Sequence, residues 1–193
     1  DEDFWPKAQA MIREAGSLLA LDEAHTHSFA YGGLTNLWGL KPDLVTLGKG
    51  LGTGVPFAAY GMTEQLARVF EANSRPPSPI EDGSAAIVTG GTTFASALVL
   101  AAARAALEEC LTAEGYARVD LLGIRLAEGL EAIFARRGLD WCAPLIGGRC
   151  GWVLGPEFPR NTEESAATMD IFFSNTRRVF MANRGIWEAL DTA

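Results

Sequence analysis

Three groups of residues in this chain have the types and spacing for chemistry. Asp22 closes the apolar run SLLALD, 17–22. An acid at a strand's carboxyl end stands where α/β sheets gather ligands. Taken alone, the plainer reading is a turn-forming or capping aspartate. Lys49 follows a second apolar run, DLVTLG, and precedes GLGTG. A lysine delivered by an apolar strand is expected to be partly desolvated, which lowers its pKa and makes the amine nucleophilic at neutral pH. A lysine that snorkels from a sheet edge fits the same pattern. TGGTTF, 89–94, precedes an Ala-rich helical pattern. There the backbone N–H groups and the hydroxyls of Thr92 and Thr93 can hold an anion, or simply cap the helix.

Neighbouring motifs are weaker. GKGLGTG is not a Walker loop, because Gly50 follows Lys49 where that loop needs Ser or Thr. Gly50, Gly52 and Gly54 precede a strand pattern rather than a helix, which argues against a dinucleotide fingerprint. His25 and His27, with Asp22 and Glu23, have zinc-ligand types. They are the only two histidines among 193 residues, and no metal site is expected.

The elements that must position these residues read as follows. A helix is expected over 4–15, stopped by Gly16, and then a buried strand over 17–22. A loop-rich crossover, 23–41, leads to buried strands over 43–48 and 55–61. Thr63 caps a helix running to residue 73, with Glu64 and Gln65 in its first turn. Residues 74–92 form a long loop rich in Pro, Ser and Gly. A buried helix is expected over 94–111 and an amphipathic one over 114–137, where Leu121, Leu122, Arg125, Leu126, Leu130, Ile133 and Phe134 make a stripe. Two short strands flank Gly147-Gly148, and a last helix spans 163–184. The fold class is α/β. The composition shift near 112–114 predicts two parts, 1–112 and 113–193.

Net charge is −8, which argues against a phosphate-backbone binder such as a nucleic-acid protein. No apolar run approaches the roughly 20 residues of a membrane span. Cys110, Cys142 and Cys150 are scattered and fit a reducing, cytoplasmic setting. The chain opens on Asp1 and ends on DTA after an amphipathic segment, which predicts a fragment.

An acid, a lysine and a phosphate cradle together point to pyridoxal 5'-phosphate. Its aldehyde takes a lysine, its pyridine nitrogen a carboxylate and its phosphate a set of donors. LLALDEAHT followed by KPDLVTLGKGLGTGVPFAAYG resembles class III pyridoxal-phosphate aminotransferases of fold type I, and within them the glutamate-1-semialdehyde aminomutase-like branch. The resemblance covers nearly the whole chain and is strongest over 17–63. It implies the C-terminal part of the large cofactor domain, a mostly parallel sheet with helices, and part of a small α+β domain. By that resemblance Asp22 pairs with the pyridinium nitrogen, and Lys49 forms the Schiff base and shuttles the proton. Ala24 lies where the family packs a valine under the ring, and His25 lines the cofactor site. Thr93, beside Thr92, reaches the phosphate across a homodimer interface, with the 74–92 loop nearby. The implied reaction moves an amino group between an amino donor and a keto acid or aldehyde. An intramolecular aminomutase uses the same residues and is the alternative. A non-catalytic phosphate-ligand module is a distant third reading.

Overall fold

A computed structural model describes residues 3–74, 87, 90–92 and 94–188. The chain divides into two compact units, residues 1–120 and 121–193.

The first unit opens with α1, Phe4–Glu14, whose Trp5 and Ile12 pack on Leu19, Leu21 and Leu40. Trp38 joins this cluster and stacks on Trp5 at 6.3 Å. The sheet has three strands in the order β1 (Ala20–Glu23), β2 (Leu44–Leu47) and β3 (Ala59–Met62). β1 and β2 are parallel, and β3 returns antiparallel to β2. The crossover from β1 to β2 holds a 3-10 turn, Thr26–Ser28, and the short helix α2, Gly33–Leu37. A second 3-10 turn, Lys49–Gly52, leaves β2. The chain then doubles back through Gly54 at φ +104°, a conformation that glycine adopts without a Cβ clash. α3, Glu64–Asn73, starts as expected at Thr63, whose hydroxyl accepts the Leu66 N–H at 3.4 Å. α4, Ala97–Ala105, runs into a π turn, Ala106–Cys110. α5, Ala113–Arg137, follows and carries the boundary between the units.

Several expectations change. β1 is not buried on both faces: it alternates, with Leu21 and Glu23 inside and Ala20 and Asp22 outside. β2 is half-buried throughout, and β3 starts later than the expected residue 55. The Ala-rich helix is not buried either. Only Ala103 of α4 and Ala106 of the π turn are, while Leu98 and Leu100 stand 72% and 46% exposed. An apolar helix face becomes core only where another element covers it.

In the second unit, β4 (Leu145–Ile146) and β5 (Arg149–Cys150) form the hairpin expected around Gly147-Gly148. Its core joins Ala127 and Phe134 of α5 to Ala143, with Leu130, Trp141 and Trp152 against them. The rest of the predicted stripe is open, with Leu121 and Leu122 exposed. The expected last helix is two: α6, Thr162–Ala167, and α7, Ile171–Ala182. The break is local chemistry, because Asp170 accepts the Phe173 N–H at 2.8 Å and starts α7 afresh.

Candidate active site

The parallel pairing of β1 and β2 puts their carboxyl ends side by side, with Glu23 opposite Leu47 and Asp22 opposite Thr46. Asp22 and Lys49 therefore leave the same edge of the sheet. The Asp22 Oδ1 accepts the Ala24 N–H at 2.9 Å and the Thr46 hydroxyl at 2.8 Å. These two bonds, the backbone one foremost, hold its carboxyl below the usual aspartate range, and the Lys49 charge adds to the effect. Oδ2 makes no hydrogen bond among the described residues, and the side chain is exposed. Asp22 is thus an ionised acceptor with one oxygen available.

Lys49 begins the 3-10 turn at φ +36°, unusual for any residue but glycine. It is exposed, not partly desolvated as expected, because β2 ends one residue before Gly48 and the turn lifts the side chain off the sheet. Backbone strain of this kind concentrates at functional sites.

Ala24 is half-buried, and its Cβ lies 3.5 Å from where a Cβ on Gly48 would be. His25 is half-buried with its ring edge-on to Phe29 at 5.4 Å. Thr92 is exposed ahead of α4. Thr93 and most of the 74–92 loop lie outside the described residues. On the outer face of the sheet, Thr46 and Tyr60, in register with Asp22, line an apolar cleft of about 380 Å³. Leu66 and Phe70 of α3 form its other wall.

Glu23 and His27, both of zinc-ligand type, build the site's frame. Glu23 is buried, and its carboxylate accepts the N–H groups of Leu34 at 3.0 Å and Thr35 at 2.6 Å and the Thr26 hydroxyl at 2.9 Å. It caps α2 and ties the crossover to β1. Gly33 makes this approach possible: it sits at φ +73°, and a Cβ there would meet Glu23 Oε2 at 2.6 Å. His27 is buried with Nε2 2.7 Å from the Gly48 carbonyl. Glu23 and His27 are thus committed to contacts within the fold, and no group of three His, Cys, Asp or Glu placed to hold a metal occurs among the described residues. The Gly32-Gly33 pair was the one sequence signal for the Glu23 cap; nothing local signals the His27 contact.

Burial alone raises the Glu23 pKa, but its hydrogen bonds outweigh this and the net value is lowered. A depressed native pKa contributes stability above the unfolded value of about 4.3, and that stability is lost as pH falls through the native value. Glu23→Gln turns an amide N–H₂ toward a backbone N–H and is expected to cost about 1–3 kcal/mol at pH 7. Urea unfolding of both proteins from pH 7 to 3 should show the gap closing below about pH 4. An equal gap at every pH would refute the assignment.

The class-III aminotransferase family profile matches residues 1–172. Over 149 residues the chain is 41% identical to a glutamate-1-semialdehyde 2,1-aminomutase of Thermus thermophilus, covering 76% of this chain and 32% of that protein. A variant glutamate-1-semialdehyde aminomutase of Pseudomonas aeruginosa PAO1, solved in complex with PMP, superposes with TM-score 0.84 at 29% identity, over 97% of this chain and 41% of that one. The β-phenylalanine aminotransferase of Variovorax paradoxus gives TM-score 0.83 at 26% identity, over 98% and 41%. The chain thus spans about a third to two fifths of the length of these relatives.

Proposed function

The chain belongs to the class-III aminotransferase family, and we propose that it is the lysine-bearing part of a longer pyridoxal-phosphate-dependent transaminase. The enzyme moves an amino group between an amino donor and a keto acid or aldehyde. The observation that carries this reading is the delivery of Asp22 and Lys49 to one sheet edge by parallel strands, close enough for the lysine charge to act on the carboxylate.

The residues present fit the cofactor. A pyridinium N–H needs an acceptor that stays ionised, and Asp22 offers an open Oδ2 with a lowered pKa. The aldehyde needs a primary amine at the same edge, and Lys49 is that amine. When bound, pyridoxal phosphate supplies an electron sink for the pair left on the substrate's α-carbon. Asp22 keeps the ring nitrogen protonated. Lys49 would hold the cofactor's aldehyde carbon through Nζ and would serve as the base for the substrate's Cα proton. Ala24 and His25 would line the ring, and Thr92 and Thr93 would hold the phosphate, with Thr93 acting across a homodimer interface. Residues 1–112 belong to the cofactor domain and 113–193 to the small domain of a cytoplasmic enzyme.

The direct test is to incubate the full-length protein with pyridoxal phosphate, reduce with borohydride and map the label. Label on Lys49 is expected; label elsewhere refutes the assignment. The 193-residue chain alone is expected to show no transamination, and turnover by it would show that no further residues are needed.

A second reading, an intramolecular aminomutase, is favoured by the relatives that carry that name. It uses the same lysine and acid. Turnover that needs an external keto acceptor marks a transaminase, and turnover of a single substrate without one marks an aminomutase.

A further inference from the structure

We propose that His27 is a positioning residue for Lys49, holding the peptide from which the lysine leaves the sheet; this rests on the Lys49 reading above. The φ of Lys49 is set by the orientation of the Gly48–Lys49 peptide plane. The Gly48 carbonyl belongs to that plane, so a bond to this oxygen is a handle on φ. Two donors grip it: the Leu51 N–H of the 3-10 turn at 2.9 Å, and the His27 ring at 2.7 Å.

A carbonyl only accepts, so His27 Nε2 must carry the proton. The Leu51 bond belongs to the strained turn itself and rises or falls with it. The His27 bond comes from outside the turn, from the crossover after β1, and is buried. His27 is anchored in turn, since its own carbonyl accepts the Tyr116 hydroxyl at 2.9 Å, also buried. Without the ring's grip, the peptide can rotate toward negative φ at Lys49, the region an L-residue prefers. That rotation swings Cβ, and with it the amine, away from its present direction.

The test uses the full-length protein and three variants. A glutamine amide nitrogen matches Nε2 in reach, an asparagine one matches Nδ1 and falls short, and phenylalanine fills the space without a donor. The rate at which borohydride-fixable pyridoxal phosphate accumulates on Lys49 is expected to fall about 10- to 100-fold in His27→Asn and His27→Phe. His27→Gln should restore most of it. A merely space-filling ring predicts no such order. All three variants at the unaltered rate, or Gln as slow as Asn, overturns the proposal. Should His27→Phe fail to fold, the Gln–Asn comparison still decides. ¹⁵N NMR of the unaltered protein is expected to show a protonated Nε2; an unprotonated Nε2 refutes the contact without any variant. Absence of label on Lys49 in the unaltered protein is a different result: it brings down the Lys49 reading, and this proposal with it.

Discussion

Lys49→Ala in the full-length protein is expected to remove all borohydride-fixable label from position 49 and to lower kcat by at least about 10³-fold. One amine is asked to do two jobs, covalent retention of the aldehyde carbon and transfer of the Cα proton. Its loss therefore removes both at once. Lys49→Arg separates charge from chemistry. Arginine keeps the positive charge near Asp22 but never deprotonates in the working range, so it cannot attack a carbonyl. The two variants should be equally inactive. An alanine variant that still binds the aldehyde covalently, or an arginine variant that retains turnover, would show that another group is the nucleophile.

The second large effect belongs to Asp22. Asp22→Asn preserves shape and an acceptor for the Ala24 N–H. It removes the charge that holds a proton on the ring nitrogen, and kcat is expected to fall on the order of 10²–10³-fold. Lys49 labelling should persist in this variant, since the lysine remains. The pH profile adds a sign. The Asp22 pKa is lowered first by the Ala24 N–H and next by the Thr46 hydroxyl. The carboxylate is thus ionised at and above the ordinary aspartate value of about 3.9, and it sets no acid limb on activity at higher pH. Thr46→Val removes the second bond and should move any Asp22-linked acid limb upward, toward the ordinary value. A downward move, or full activity in Asp22→Asn, would contradict the assigned role.

The parts of this protein that were readable in advance are those fixed within a few residues. Thr63 and the first turn of α3 are one such case, since a cap and its N–H partner lie three positions apart. The acid after one apolar run and the lysine after the next are another. Strand direction then follows from the crossover between them, and with it the shared edge.

What escaped has partners far along the chain. Glu23 binds residues 11 and 12 positions on, His27 reaches Gly48 21 positions on, and Tyr116 reaches back 89 positions to His27. Pattern alone also misjudged burial. In ALDE the strand's period of two puts Glu23 inside and Asp22 outside, although both are acids. Only the packing of α1 and α2 on one face chooses between them.

The amino-acid sequence by itself determined the chemistry on offer at this edge, an acid and an amine at the ends of successive strands, because strand runs and their terminating residues are local. The tertiary structure alone decided which acid faces outward, which is spent on capping α2, and which histidine grips the peptide before Lys49. Those choices depend on contacts that exist only once the crossover folds back on the sheet.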